Sequence, residues 1–452
     1  MLRRSFTALT LAAVAIIGTH ASPFMKSAFG QSLPPCTATS GPDASATTAL
    51  HLDVRDAPYG AKGDGVTDDT AAIQRALDDA AVTATVNAEA TVFVPAGVYL
   101  VSTHLSVPSF VTLMGTFRAP ADWQGGFAPF GGSLLRAVAE AGNADGTPFI
   151  TLATHATLRG ISVFYPNQTT TAAPTAYPWA VRGSGPNVTI LDVMLVNPYR
   201  GVDLASATSD NHFISGLYGQ ALQLGLAIGH CASGGHVQDV HFFPFWQISG
   251  STPARQFQGA SGVGILVEHA DGEVMKNIFA ISYSVGMRFA SSPSNACVGL
   301  TCGTSSGQIS NLNFDTTGVS LDVYATSAAG WQIDGMNSVN DIGTFEFPIW
   351  HHPGAIANLD ISDAASWGAP QEIALWQGDG ELSLSGSLIT QWNSAKSAID
   401  VRAGTVTVEG NMFANDAGTA ISVTATGHAN ATGNQMSGDT MSGSVTSVGN
   451  SL

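Results

Sequence analysis

The chain has 452 residues, of which 50 are glycine, 44% are hydrophobic and 11% are charged, and its 33 acidic and 16 basic residues give a formal net charge of −17. The acidic excess excludes a nucleic-acid-binding protein, because affinity for a phosphate backbone depends on clustered lysine and arginine. The apolar content excludes disorder, and the low charge excludes long charge-rich helices.

The first 30 residues have the pattern of a signal peptide. Arg3 and Arg4 precede an apolar run over residues 9–18, which is too short for a membrane span of about 20 residues. The arginine pair is similar to a bacterial twin-arginine signal. We therefore expect a secreted or periplasmic protein without a transmembrane segment, in which residues 31–50 form a flexible tail.

Residues 51–452 are predicted to form a single domain, with residues 51–118 as an N-terminal cap and first coil. Over residues 71–81, apolar side chains recur at helical spacing, at Ile73, Ala76, Leu77 and Ala80. Acidic and hydroxyl side chains just before this segment favour a helix start. We therefore expect one capping helix.

Beyond about residue 150, a repeat of about 23 residues replaces the helical pattern. Each repeat has two short alternating strands around a glycine, asparagine or aspartate, which enter the left-handed region most readily and so make sharp corners. These corners are predicted at Gly160, Asp192, Gly216, Asp239, Asn277, Asn311, Gly335, Asn358, Gly386, Gly410 and Gly433. The predicted fold is all-β: a right-handed parallel β-helix of about 10–11 coils.

Two segments extend the repeat and are predicted to be loop insertions, at residues 249–260 and 291–307. The second contains Cys297 and Cys302, whose short spacing suits a local disulfide in an exported protein. Pairing of Cys36 with Cys231 would fasten the N-terminal tail. A zinc site is the weaker alternative, because the cysteines lack a CxxC pair and matching histidines.

The N-terminal segment resembles a known family. Residues 59–74, Tyr-Gly-Ala-Lys-Gly-Asp-Gly-Val-Thr-Asp-Asp-Thr-Ala-Ala-Ile-Gln, and residues 94–99, Val-Pro-Ala-Gly-Val-Tyr, look like the opening of pectate-lyase-superfamily β-helix proteins. That group includes rhamnogalacturonase and epimerase-like enzymes, glycoside hydrolases and phage tailspike depolymerases. The resemblance implies a parallel β-helix that acts on carbohydrate.

The catalytic motifs of two related families do not match. The Gly-His-Gly of polygalacturonases is replaced by Gly229-His230-Cys231, and their Arg-x-Lys is absent. The Asp-Pro-His-Glu of alginate epimerases is also absent. No catalytic residue is therefore carried over from either family.

Candidate site residues come instead from the outward positions after each corner. Asp315 and Asp360, predicted to be two coils and about 10 Å apart, are the candidate carboxylate pair of an inverting hydrolase, with His241 beside them. A solvated strand face is the alternative explanation for these acids. The predicted substrate contacts are Tyr218, Gln220, Asn313 and Arg288.

Histidines also concentrate in the middle coils, at His212, His230, His236, His241 and His269. With neighbouring acids they place titratable groups where a site is expected. A metal cluster is the alternative, but we predict no metal site and no cofactor, with Ca²⁺ required only if the chain is a lyase.

The sequence thus predicts a secreted enzyme that cleaves a polysaccharide, by glycoside hydrolysis with paired carboxylates. The negative charge disfavours a polyuronate substrate. Two alternatives stay open: β-elimination on a uronate glycan, and a non-catalytic glycan-binding or cell-surface β-helix. The predicted partner is a polysaccharide, and the oligomeric state is left open.

Overall fold

A computed structural model describes residues 50–118, 131–293, 302–340, 347–415 and 418–451. The predicted signal peptide and the tail lie outside these ranges, except for Leu50. Cys36 and Cys297 also lie outside them, so the proposed disulfide between Cys297 and Cys302 stays a prediction. Cys231 is buried and is not part of a disulfide, so the alternative pairing with Cys36 is not made.

The predicted capping helix is confirmed as α1, Thr70–Ala81, and its four predicted apolar residues are buried. The acidic segment before it folds differently from a simple helix cap. The carboxylate of Asp69 accepts backbone N–H bonds from Lys62 at 2.6 Å and Gly63 at 2.9 Å. Asp69 therefore fixes the glycine-rich loop before the helix.

Short parallel strands make up most of the remaining chain. The first ten are β1 His51–Asp53, β2 Asp64–Asp68, β3 Ala90–Val94, β4 Gly97–Val101, β5 Leu105–Val107, β6 Val111–Gly115, β7 Ser133–Ala137, β8 Ile150–Leu152, β9 Thr157–Arg159 and β10 Ile161–Phe164. Residues 51–118 therefore contain strands of more than one coil, beyond the predicted cap and first coil.

Longer strands fill the middle of the solenoid. They are β11 Trp179–Gly183, β12 Thr189–Leu195, β13 Arg200–Leu204, β14 Phe213–Gly219, β15 Leu224–Ile228, β16 His236–Phe242, β17 Val263–Val267, β18 Glu273–Ile281, β19 Val285–Phe289, β20 Gly307–Asp315, β21 Val319–Ala325, β22 Trp331–Val339 and β23 Phe347–Ser362. The C-terminal strands are β24 Ala365–Trp367, β25 Ala374–Trp376, β26 Asp379–Ser385, β27 Leu388–Thr390, β28 Ser397–Val401, β29 Thr405–Glu409, β30 Met412–Ala414, β31 Thr419–Val423, β32 His428–Thr432, β33 Gln435–Met436, β34 Thr440–Ser442 and β35 Val445–Val448.

The strands stack in parallel ladders, which confirms a parallel β-helix. One ladder, here called sheet I, joins β5, β8, β11, β13, β15, β17, β19, β21, the first half of β23, β25, β28, β31 and β34. These thirteen strands correspond to more coils than the 10–11 predicted, because the N-terminal segment adds coils of its own. The remaining strands form ladders on either side of the corner residues, one before and one after the corner of each coil.

The predicted corners are largely confirmed. Asp192, Asp239, Asn277 and Asn311 have φ between 52° and 58°, and the predicted glycines also have positive φ. Asn358 is the exception, since it pairs with Glu381 inside β23. The corner of that coil falls at Asp363, with φ 52°. The predicted register of this coil was therefore wrong by five residues.

Side chains that alternate along the strands fill the interior. Val193, Leu217, Val240, Ile278 and Leu312 are all buried, as predicted from their position after each corner. Part of the predicted loop at residues 249–260 is instead helix α2, Pro253–Ser261, which has proline in its first turn after Thr252.

Candidate active site

Three of the predicted site residues come together on the face after the corners. Tyr218, His241 and Asn313 line a cleft of about 270 Å³, which we call the aromatic cleft. Its full lining is Tyr218, Asp239, Val240, His241, Asn277, Ile278, Phe279, Asn311 and Asn313. The alternation of the strands thus placed these three side chains on one surface, and their roles in binding or catalysis stay predictions.

Gln220 does not face the aromatic cleft. Its side chain is fully buried, and its Oε1 accepts backbone N–H bonds from Trp246 at 3.1 Å and Gln247 at 2.9 Å. Its Nε2 donates to Gln258 Oε1 at 3.1 Å. Gln220 therefore fastens the segment that leads into α2, and the predicted position in the groove was wrong.

Asp315 and Asp360 do not form the predicted pair. Asp315 ends β20, four residues after its corner, and accepts a hydrogen bond from Thr316 Oγ1 at 2.6 Å. Asp360 lies three residues before its corner, where it pairs with Gln332 and Ser383. The two carboxylates thus belong to ladders on opposite sides of the corner, because the corner is at Asp363.

Arg288 lies on sheet I and not beside the aromatic cleft. Its Nε donates to Asp322 Oδ2 at 2.7 Å, and its guanidinium lies 5.6 Å from the ring centre of Tyr324. The predicted contact residues are therefore divided between two faces of the solenoid.

The predicted histidine group is divided in the same way. His241 lines the aromatic cleft, His269 Nε2 lies 3.3 Å from Asp271, and His212 Nε2 lies 3.0 Å from Glu273 Oε1. His212, Cys231 and Glu273 are all buried, with one potential ligand atom of each within 4.8 Å of the others. The remaining hydrogen-bonding atoms of this trio are held by the backbone: His212 Nδ1 by Ser209 O and Glu273 Oε2 by Gly235 N–H.

Sheet I carries acids that were not among the predicted catalytic residues, although Glu268 is one of the acids near the histidines of the middle coils. Asp203, on β13, is 1% exposed, and its Oδ2 accepts from Arg182 Nε at 2.7 Å. Its Oδ1 accepts from the backbone N–H groups of Ala205 at 2.9 Å and Ser206 at 3.0 Å. This carboxylate is thus held in one orientation by charged and neutral donors.

Glu268 follows β17 on the same sheet and has a different environment. Burial raises the pKa of its carboxyl, and Asp203 raises it further, against an opposing effect of His230. A Cβ added to Gly229 would stand 3.3 Å from Glu268 Oε2 and 3.1 Å from Ala205 Cβ. The Glu268 carboxyl therefore leans over Gly229, toward the coil that contains Asp203. We call Asp203, Gly229, His230 and Glu268 the acid face.

The two carboxyl groups of the acid face interact electrostatically, because the negative charge of Asp203 raises the pKa of Glu268. Asp203 pairs with Ala227, which pairs with Leu266, so Glu268 lies two strands from Asp203 and two residues further along its own coil. The Glu268 carboxyl, which leans over Gly229 on the intervening coil, therefore faces back toward Asp203. Glu268 is desolvated and has a raised pKa, whereas the Asp203 carboxylate accepts three hydrogen bonds. Two carboxyl groups in such different environments can act separately as an acid and a base.

An aromatic platform lies further along the same face. The ring of His352 is sandwiched between Tyr324, with ring centres 3.9 Å apart, and Trp350, at 4.2 Å. His352 Nε2 lies 2.6 Å from Asp322 Oδ1, which orients the imidazole. Arg288 lies over the ring of Tyr324, which is nevertheless 43% exposed, so part of the side chain is available to a ligand. We call Tyr324, His352 and Trp350 the aromatic stack.

Comparison with known proteins supports the fold. Residues 53–131 match the family model described as Rhamnogalacturonase A/epimerase, pectate lyase-like. The chain resembles the pectate-lyase superfamily. The predicted resemblance is therefore confirmed on the segment that carries its motif.

Solved structures are similar over most of the chain. DFA-IIIase from Arthrobacter chlorophenolicus A6, in complex with GF2, is 12% identical over 85% of this chain and 95% of its own, with a TM-score of 0.54. The N-terminal fragment of bacteriophage phi29 gene product 12 is 13% identical over 88% of this chain and 70% of its own, with a TM-score of 0.55. At these identities the matches establish the fold alone.

One curated relative matches a short segment. The non-secreted LysM effector LysM19 of Penicillium expansum is 49% identical over 57 residues, which are 13% of this chain. The chain spans 4% of the length of that relative. Within the described ranges, no helix is long and apolar enough to cross a membrane.

Proposed function

We propose that this chain is an exported carbohydrate-active enzyme that hydrolyses a glycosidic bond of a polysaccharide on sheet I. Glu268 is the general acid and gives its proton to the leaving oxygen, while Asp203, whose Oδ2 keeps one lone pair beyond its bond with Arg182, takes a proton from the water that attacks the anomeric carbon. The observation that carries this proposal is the contrast between the two acids, since Glu268 is desolvated and Asp203 is held by Arg182 and two backbone N–H groups.

The aromatic stack supports a carbohydrate substrate. The exposed part of Tyr324, whose ring is held by stacking on His352, offers an apolar surface beside polar groups, as small-molecule and sugar sites require. Glu268 directly follows β17, and Tyr324 lies on β21, which is two strands further along the same ladder. The platform and the acids therefore belong to one surface and can hold successive units of one chain.

The charge of the protein supports a neutral or weakly charged glycan. The net charge of −17 repels a polyuronate, and Arg182 and Arg288 on this surface are already paired with Asp203 and Asp322. The proposed hydrolysis needs no cofactor, whereas elimination on a uronate would require a base and a cation to neutralise the substrate.

The test is a substrate screen with purified protein. Inulin, laminarin and galactomannan represent neutral glycans, and polygalacturonate represents an anionic one. We expect new reducing ends from a neutral glycan, and their loss in Glu268→Gln. Ultraviolet absorbance of an unsaturated uronate would instead indicate β-elimination, and binding without product would indicate a non-catalytic glycan-binding protein.

A further inference from the structure

The aromatic cleft lies on a different face from the proposed catalytic acids. It is formed by the strand halves after the corners of β14, β16, β18 and β20, whereas the acid face belongs to sheet I. Its volume of about 270 Å³ is comparable to the smaller ligand sites of proteins. The catalytic proposal does not use this cleft.

One wall of the cleft is aromatic. The ring centre of His241 lies 4.7 Å from that of Phe279, 5.6 Å from that of Phe245 and 5.7 Å from that of Phe243. Burial lowers the pKa of His241, so its ring is neutral near neutral pH. Tyr218 stacks on Phe117 at 5.8 Å. The packing of these rings holds their faces in place before any ligand arrives.

A ladder of amide side chains runs along the cleft. Asn277 Nδ2 donates to Asp239 Oδ1, Asn311 Nδ2 donates to Asn277 Oδ1, and Asn313 Nδ2 donates to Asn311 Oδ1, each at 2.9 Å. These bonds use one N–H of each amide, and each amide has a second. The ladder therefore presents oriented hydrogen-bond donors beside the aromatic wall.

This combination selects a neutral carbohydrate. Ring faces accept the apolar C–H faces of a sugar, while fixed amides donate to its hydroxyl oxygens. In the part of the chain that the structure describes, the lining contains no lysine or arginine but does contain Asp239, so a polyanionic glycan is disfavoured. The pKa of Tyr218 is raised by burial and then by Asp192 and Asp239, which indicates a negative potential in the cleft.

Among the residues that the structure describes, the lining of the cleft does not hold the pair of carboxyl groups needed to cleave a glycosidic bond. Asp239 is the only carboxylate in this described lining, and its oxygens interact with Asn277 Nδ2 at 2.9 Å and Ser215 Oγ at 3.4 Å. Glycoside hydrolysis normally requires two carboxyl groups. Resting on the proposed carbohydrate function of the chain, we propose that the aromatic cleft is a second, non-catalytic binding site for a neutral polysaccharide.

The test measures binding in the Glu268→Gln background, so that cleavage does not consume the probe. Affinity gel electrophoresis with inulin, laminarin or galactomannan reports retardation by each neutral glycan, and polygalacturonate serves as the anionic probe. We expect Tyr218→Ala and Phe279→Ala to bind at least one neutral glycan about tenfold more weakly, which corresponds to ~1.4 kcal/mol. Met412→Ala is the matched control, because Met412 is exposed on the same face but outside the cleft.

A third variant distinguishes the loss of a ligand contact from the loss of side-chain packing. Asn313→Asp keeps the size of the side chain but replaces a donor with a charge, and it should also weaken binding while circular dichroism stays unchanged. Unchanged retardation of all three cleft variants, or no retardation of the parent by any neutral glycan, would overturn the proposal. Weaker binding by the cleft variants supports the second site even if Glu268→Gln still releases reducing ends, a result that would defeat only the catalytic proposal.

Discussion

The carboxyl group of Glu268 lies over Gly229, where a side chain would stand 3.3 Å from its Oε2. The absence of a side chain at Gly229 lets the acid lean back across one coil toward Asp203. In this position the carboxyl group is buried and lies within the field of Asp203, and both effects raise the pKa of Glu268.

Gly229→Ala should reduce catalysis more than stability. Gly229 is not among the glycines with positive φ, so alanine is compatible with the backbone, but the added methyl group would press on the Glu268 carboxyl and on Ala205. We expect kcat to fall about tenfold or more, as small displacements of catalytic groups do. Steady-state kinetics and a thermal melt of the same preparation check this. A large loss of Tm with unchanged kcat would contradict it.

Activity should decline as the pH rises through the pKa of Glu268. Burial holds this pKa above the ordinary value of 4.5, so the acid stays protonated to a higher pH than a solvated glutamate. The profile of kcat/KM against pH reports this group in the free enzyme. If kcat/KM declined at the ordinary pKa of glutamate, or did not decline at alkaline pH at all, another group would be the general acid.

Tyr324→Ala should weaken substrate binding with little effect on the chemical step. Tyr324 is part of the aromatic stack and is remote from the proposed acids, so its loss removes binding energy that is uniform between ground state and transition state. We expect KM to rise about tenfold at nearly constant kcat. Trp367→Ala is a control, since Trp367 is 46% exposed on a different ladder. An equal rise of KM in both variants would count against a platform at Tyr324.

The pair of His212 and Glu273 should make stability depend on pH. Burial lowers the pKa of His212, but the Glu273 carboxylate and hydrogen bonds with Cys231 and Glu273 outweigh it and raise the pKa to about 10. In the unfolded chain the pKa is about 6.5. The stabilisation is therefore fully present below about pH 6.5 and is lost as the pH rises through about 10.

Thermal melts across this window test the pair. Tm should fall by about 1–2 °C per pH unit between about pH 7 and about pH 10. Glu273→Gln should lower Tm and flatten this slope. A slope that persists unchanged in Glu273→Gln would assign the dependence to other groups.

Chelation should leave the activity intact, because the proposed roles of Glu268 and Asp203 require no metal. The measurement is reducing-end release before and after dialysis against EDTA. Loss of activity that Ca²⁺ restores would favour elimination on a uronate over hydrolysis.

Much of the fold was predictable because a single conformational requirement repeats along the chain. Asp192, Asp239, Asn277 and Asn311 occupy left-handed corners, and these residue types are visible in the sequence. The corner of one coil was predicted at Asn358 because asparagine is a typical corner residue, but Asn358 lies in a strand. The corner is Asp363, five residues later, and nothing local distinguishes the two before the neighbouring coil is in place.

The acid face was not predicted because the repeat was aligned on the corner residues, whereas Asp203 and Glu268 belong to sheet I. Sheet I has its own recurring signal, a glycine followed by an alternating apolar strand, at Gly201, Gly225, Gly264 and Gly286. Aligning these glycines would have placed Asp203 and Glu268 on one surface. Their different environments depend on neighbours from other coils, and no sequence pattern reports that.

The most direct test of the account is reducing-end release from the best neutral glycan of the screen, measured in parallel for the parent, Glu268→Gln, Asp203→Asn and Asp360→Asn. We expect Glu268→Gln and Asp203→Asn to lose about 10²–10⁴-fold in kcat with an unchanged circular dichroism spectrum. Asp360→Asn, on another ladder, should stay close to the parent. Full activity in Glu268→Gln, or an equal loss in Asp360→Asn, would contradict it.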